Sequence, residues 1–292
     1  MNTATRRLGW GVFLLCGTLA GCQTVEYTGR SQVNLVSEGD EKKLGVDAYQ
    51  DILKKNPLSK NQAWQAQLKR VGQRISAAAA KPDYQWEFNV LQGKEINAFC
   101  LPGGKVAFWE GIMPVVQDDN GIAVVMGHEV AHALARHGAE RMSQSMGAAA
   151  LGQILTAGVG LANPGWSESF AQAYGLGVNV AVILPWGRAQ ESEADHIGLI
   201  LMAKAGYDPS AAVGFWERMS KVQQGGNPPE FLSTHPSDET RIAQIKQWLP
   251  EAMTYYKKKI ISGFVEDNRC DLPDVCGELL LAVTAFHRQF LP

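Results

Sequence analysis

The five residues His128-Glu129-Val130-Ala131-His132 constrain this chain more than any other stretch. They sit in an apolar-periodic run from Asp119 or Asn120, either of which can cap it, to about Met146. Ile122, Val125, Met126, Val130, Ala133 and Leu134 keep one face buried, so the run is predicted to be a single long helix. Residues four apart on a helix share a face one turn apart, so both imidazoles can reach one cation. Glu129 lies one residue along and can reach a water on that cation rather than the cation itself. Zinc lowers the pKa of such a water towards ~7, and a carboxylate base can take its proton as it attacks a carbonyl. Val124-Val125-Met126 and Val130-Ala131 supply a dry wall.

Two histidines leave the coordination incomplete. His137 is rotated off the ligand face of an unbroken helix and reads as a surface residue. A chain reversal that would bring in a third His needs Gly and His where the sequence has Ala135 and Gly138. A carboxylate from another helix is the other solution. The segment Gln190-Glu191-Ser192-Glu193-Ala194-Asp195-His196 supplies one, because Glu191 and Asp195 are again four apart. Glu191 can bind the metal while Asp195 holds a ligand His by its second nitrogen. Glu193 projects about 200° round the helix from Glu191 and is expected to face solvent. His196 and His287 read as structural or exposed.

Composition excludes some partners. The 292 residues are 46% hydrophobic and 19% charged, an ordinary globular balance. Lys plus Arg number 27 against 29 Asp plus Glu, so nothing argues for nucleic acid or for electrostatic capture by an anionic membrane. Of the five cysteines, Cys270 and Cys276 can close a short disulfide in an oxidising compartment, two free thiols being the other reading. No second Cys pair completes a zinc ribbon.

Arg6-Arg7, the apolar Leu8–Ala20 and Gly21-Cys22 read as an n-region, an h-region and a cleavage site. The apolar run is short of the roughly 20 residues that span a bilayer. An ordinary secretory signal is one reading. Leu19-Ala20-Gly21-Cys22 also resembles a bacterial lipobox, which implies lipidation of Cys22, and Gln23 after it implies sorting to the outer membrane. Residues 1–21 are thus set aside as a signal peptide, 22–36 as a polar linker from the lipid anchor, 37–250 as the main domain and 251–292 as an extension.

Within the domain, Ser37–Lys55 and Trp64–Ala80 are predicted helices, with Ser37 a possible N-cap. Tyr84–Leu91 alternates as a strand, and Ile96–Leu101 and Lys105–Trp109 form a hairpin about Pro102-Gly103-Gly104. Gly147–Leu184 reads as packed helices or a flap, with membrane contact as the other reading. Ala189–Ala205, Ser210–Gln223 and Pro236–Leu249 complete an α+β fold, mainly helical with a small mixed sheet.

From about Glu38 to Leu249 the chain resembles the gluzincin metallopeptidases of the HtpX and CaaX-prenyl-protease (Oma-like) type. The resemblance rests on His-Glu-x-x-His followed by Glu191-x-x-x-Asp195, on Asn97-Ala98-Phe99, and on Thr234-His235-Pro236 with Arg241-Ile242. It implies one zinc per chain bound by His128, His132 and Glu191, with Glu129 as base. It places Asn97, Ala98 and Phe99 on a strand beside the cleft, whose exposed edge could add a substrate strand. His235 then stabilises the oxyanion or covers the zinc; by chemistry alone it is a loop histidine. Arg241 anchors a carboxylate such as Asp195 or is a surface charge. The family and the anchor together imply an endopeptidase for unfolded or misassembled envelope polypeptides, on the periplasmic side of the outer membrane. A chaperone or assembly factor for outer-membrane proteins, with a latent protease site, is the competing reading. Glu129 argues against a purely structural zinc, which needs no base.

Overall fold

The computed structural model describes residues 22–156, 173, 187–223, 231–232, 235 and 239–267, with the backbone alone given for 147–156, 223 and 257–267. The predicted signal segment, the Cys270–Cys276 pair, His287, Thr234, Pro236 and most of Gly147–Leu184 lie outside these residues. Among the described residues no helix is long and apolar enough to cross a membrane.

The chain opens with a small antiparallel hairpin, β1 (Cys22–Thr24) and β2 (Ser31–Val33), where a polar linker is predicted. Val25 is buried in the main core, and Gln32, Asn34 and Val36 are buried as well. These strands are too short and too polar for periodicity to reveal, and the side chains of the hairpin that reach Glu140 and Glu193 do so across more than a hundred residues.

Helix α1 (Glu38–Lys55) begins at Ser37, whose hydroxyl accepts from the Asp40 amide, and places Glu38, Asp40 and Glu41 in its first turn. A carboxylate there meets the positive end of the helix dipole. Helix α2 (Gln62–Ala79) is capped by Asn61 and ends with Ala80 in the left-handed region, φ 51°. Strands β3 (Glu87–Leu91), β4 (Ala98–Leu101) and β5 (Lys105–Trp109) form a mixed sheet of order β3-β5-β4. β5 pairs parallel with β3 and antiparallel with β4. Gly103 and Gly104 turn the hairpin at φ 86° and 82°, a conformation costly for other residues. Side-chain alternation splits the sheet between two cores. Ala98, Cys100, Val106 and Phe108 join the core with α2 and the later helices, while Phe99, Leu101 and Ala107 pack with Tyr49 of α1.

After a 3-10 turn (Glu110–Ile112) and the short α3 (Met113–Val116) comes α4 (Asp119–Leu134). Its cap is Asp118, which accepts from the Gly121 amide at 2.9 Å, one residue before the predicted candidates. Every residue from Gly121 to Ala133 is buried, so α4 is the axis of the molecule. The predicted long helix is broken after Leu134. Arg136 takes a left-handed φ of 56°, and a second helix, α5, starts at His137 and runs to Thr156. The Arg136 guanidinium holds that turn, donating to Glu41 at 2.7 Å and to the Val36 carbonyl at 2.8 Å.

Helix α6 (Arg188–Lys204) packs across α4 at two glycines. A Cβ on Gly127 would stand 2.8 Å from the Gly198 carbonyl oxygen, and one on Gly198 would stand 2.9 Å from the His128 amide nitrogen. The two backbones therefore touch one residue away from His128. Helices α7 (Ala211–Gln223) and α8 (Glu239–Asp267) close the described structure. α8 runs on through Pro250 instead of ending at Leu249. A proline removes one helical hydrogen bond. Trp248, Leu249, Ala252, Tyr255 and Tyr256 are all packed on the core and hold the segment helical across it.

Candidate metal centre

The α4–α6 crossing brings His128 and His132 of α4 against Glu191 of α6. His235 closes over them, its amide donating to the Phe231 carbonyl at 2.8 Å. One donor atom from each of the four lies within 4.8 Å of the others, and all four residues are buried. His128 Nε2 is 3.1 Å from both His132 Nε2 and His235 Nδ1. Glu191 reaches the group with Oε1 3.4 Å from His132 Nε2 and Oε2 3.5 Å from His128 Nε2. Its Oε1 is 3.1 Å from His235 Nδ1.

The surroundings hold each donor in place. His128 Nδ1 sits 2.9 Å from Asp195 Oδ1. Asp195 in turn accepts from Arg241 Nε at 2.7 Å and Nη2 at 2.8 Å. The Arg241 guanidinium stacks 3.4 Å above the Trp216 ring and also lies 3.1 Å from Glu191 Oε2. Asp195 and Arg241 are thus both brought to the site.

Glu129 is buried beside the cluster, its Oε1 3.3 Å from His235 Nε2 but with no hydrogen-bond partner among the described residues. A buried carboxylate oxygen with no donor is costly unless something polar is meant to meet it.

Asn97, Ala98 and Phe99 are all buried. The Asn97 side chain accepts from the Ala98 amide at 2.9 Å, and Phe99 packs edge-on against Tyr49 and Trp109. Their side chains are turned into the protein. β4 lies at one edge of the three-stranded sheet among the described residues, so any strand addition there would use the main chain.

Two sequence expectations are corrected. His137 is fully buried rather than on the surface, its Nδ1 2.8 Å from His132 Nδ1 and its Nε2 2.9 Å from Glu193 Oε2. Glu193 is buried rather than solvent-facing, and it accepts from Arg30 Nε at 2.7 Å and from the Thr28 hydroxyl. A helical wheel drawn through an unbroken helix puts His137 on the wrong face, and the break at Arg136 redirects it. The one local signal was the pairing of His137 and Glu193, both titratable, on the two segments that carry the site. His196 stacks on Trp248 and bonds Glu251 at 2.7 Å, a structural placement.

The electrostatics differ from one donor to the next, burial holding His132 neutral. Burial acts to lower the His128 pKa, but Asp195 and Glu191 outweigh it and raise it to about 9. Burial likewise acts to raise Glu191, and His235, Arg241, His128 and His132 outweigh it, holding the carboxylate ionised. Burial raises the Glu129 pKa above the ordinary carboxylate value. For Glu193, burial is outweighed by His137, Thr28 and Arg30, which bring its pKa to about 2. Three nitrogens and a carboxylate, with the buried carboxylate of Glu129 beside them, are a donor set that fits zinc.

The sequence profile of peptidase family M48 matches residues 62–249. The chain belongs to this family. It is 36% identical over 260 residues to the mitochondrial metalloendopeptidase OMA1 of Schizosaccharomyces pombe, covering 86% of this chain and 75% of that protein. It is 31% identical over 240 residues to the human metalloendopeptidase OMA1, covering 77% of this chain and 44% of the relative. Against the beta-barrel assembly-enhancing protease of Escherichia coli it is 28% identical over 230 residues, covering 76% of this chain and 46% of the relative. The chain thus spans three quarters of the fission-yeast protein and about half of the other two. Family and donor set together make it a zinc metalloendopeptidase.

Proposed function

We propose that this chain is an endopeptidase for unfolded or misassembled cell-envelope polypeptides, held by a lipid on Cys22 to the periplasmic side of the outer membrane. The observation that carries the reading is the buried four-donor cluster with Glu129 beside it, its Oε1 without a hydrogen bond among the described residues. The name of the bacterial relative, a protease that enhances β-barrel assembly, supports the substrate class. Cys22 is exposed, as an anchor would require.

His128, His132 and Glu191 would hold the zinc. Bound there, zinc would act as a Lewis acid that acidifies water and polarises a carbonyl. Glu129 takes the proton from the attacking water and returns it to the leaving amine, and burial raises its pKa towards that task. Asp195, itself clamped by Arg241, fixes the His128 ring by its second nitrogen. The apolar walls of α4 and Phe231 keep bulk water out. The main chain of β4, an edge strand of the sheet among the described residues, would take the substrate as an added strand.

A second reading is favoured by one observation. His235 Nδ1 stands within the donor set itself, 3.1 Å from both His128 Nε2 and Glu191 Oε1. A histidine there can occupy the position that substrate or water needs, so the resting site would be latent and the protein would act chiefly as an assembly factor. Casein degradation by the full chain, with zinc content measured on the wild type and Glu129→Gln, separates the two. Cleavage by the wild type, reduced about 10²–10⁴-fold in a zinc-loaded Glu129→Gln, supports the peptidase. Zinc in both proteins with cleavage in neither refutes constitutive proteolysis and leaves the latent form, which His235→Ala should release.

A further inference from the structure

We infer that His137, Glu193 and Arg30 form a positioning relay that sets the His132 ring for the metal, and that the N-terminal hairpin is thereby part of the metal site. The inference rests on the reading that His132 is a ligand through Nε2.

The argument is one of proton placement. His132 Nδ1 and His137 Nδ1 face each other at 2.8 Å, a distance at which one nitrogen must carry a hydrogen and the other a lone pair. A neutral histidine that binds a cation through Nε2 carries its hydrogen on Nδ1. His132 is therefore the donor, and His137 must be bare at Nδ1 and protonated at Nε2. That second hydrogen points at Glu193 Oε2, 2.9 Å away. Glu193 completes the order as an ionised acceptor, held by the Thr28 hydroxyl and by Arg30 Nε at 2.7 Å. Every link has one donor and one acceptor, so the chain runs in a single direction from the ligand to the hairpin.

The far end is anchored firmly. Arg30 also grips both oxygens of Glu140 on α5, at 2.9 and 3.0 Å, and Gln190 donates to the same carboxylate at 2.8 Å. One guanidinium thus ties α5 and α6 together behind the site. The two histidines of α4 are consequently supported in different ways. His128 leans directly on the carboxylate of Asp195, whereas His132 reaches its carboxylate through a second imidazole. Outer partners of this kind fix ring orientation and raise ligand basicity, and their loss typically weakens metal binding by about 10–100-fold. The fixed rotamer matters most here, because a ring free to turn would spend time with Nε2 out of reach.

The test is a competition titration of zinc against a chromophoric chelator on the full chain. The wild type is run beside His137→Phe, His137→Gln, Glu193→Gln and Arg30→Ala, with the visible spectrum of the cobalt-substituted forms as a second readout. Phe keeps the ring volume and removes the acceptor. Gln can still accept from His132 with its carbonyl and donate to Glu193 with its amide. We expect zinc affinity to fall by about 10–100-fold in His137→Phe, less in Glu193→Gln and Arg30→Ala, and to be partly restored in His137→Gln. The cobalt bands should shift in the order of those losses. Zinc affinity and cobalt spectra equal to wild type in folded His137→Phe and Glu193→Gln would overturn the relay alone. A wild-type chain that takes up no zinc would overturn the site reading and the relay with it. Should His137→Phe fail to fold, Glu193→Gln decides, since it keeps the side chain's shape.

Discussion

Arg241 carries its charge into the interior at 5% exposure, with Trp216 stacked on its plane and Asp195 and Glu191 beside it. Burial works against the guanidinium, and the two carboxylates more than restore its charged form. Removing one partner of such a group leaves the others buried and uncompensated, which typically costs about 3–5 kcal/mol. Arg241→Met should therefore destabilise the fold by roughly that amount, measured by urea unfolding. Arg241→Lys should recover only part of it, because an ammonium keeps the charge but loses the two-pronged grip on Asp195 and the flat face against Trp216. Equal stability of the Met variant and the wild type would show that the ion cluster contributes nothing net. At this scale the sequence was readable where spacing alone decides. The four-residue intervals His128–His132 and Glu191–Asp195 each put two side chains on one helix face, and the family resemblance named the ligands among them. Glu193 was not readable in this way, since its partners Arg30 and Thr28 are more than a hundred residues away, and His137 was not, since the break at Arg136 turns it back onto His132.

Between elements, the crossing of α4 and α6 determines whether Glu191 meets the histidines at all. Gly127 and Gly198 allow the backbones to touch, and a Cβ on Gly198 would press on the His128 amide nitrogen and on Gly127. Backbone atoms cannot swing aside as a side chain does, so Gly198→Ala should push the helices apart. Overpacking of this sort costs about 1–3 kcal/mol. A domain of this size should lose roughly 2–4 °C of Tm per kcal/mol. Zinc affinity should fall in step, because the displaced helix carries Glu191. A Gly198→Ala protein with unchanged Tm and unchanged zinc binding would refute the close-contact argument. The elements themselves were largely legible. β5 has its predicted bounds, Ser37 caps α1, and the Pro102-Gly103-Gly104 turn joins β4 to β5. Where the reading failed, the cause was distant. The break between α4 and α5 depends on Arg136 reaching Glu41, and the β1–β2 hairpin depends on Arg30 reaching α5 and α6. Neither contact leaves a local period to detect.

Across the whole molecule, the donors come from three separated parts of the chain and meet only when the fold is complete. Zinc held by His128, His132 and Glu191 would therefore bind the native state and not the unfolded one, and its affinity adds to stability by mass action. Free zinc at about a thousand times Kd adds ~4.1 kcal/mol. At roughly 2–4 °C per kcal/mol, stripping the metal with a chelator should lower Tm by about 10 °C. The chain should nonetheless stay folded without it, unlike small domains that need their metal to fold at all. The reason lies in the size of the apolar cores, in which α4, α6, α2 and the sheet bury Leu68, Ile75, Phe108, Ile122, Phe215 and Trp216 independently of any cation. Thermal unfolding with excess zinc, with EDTA, and for Glu191→Gln under both conditions checks this. The expected pattern is a cooperative transition throughout, a large EDTA effect in the wild type and a small one in the variant. A chain that unfolds at room temperature in EDTA would mean that the metal, rather than the cores, holds the helices together. A wild-type Tm indifferent to EDTA would mean that the four donors hold no metal that matters to the fold.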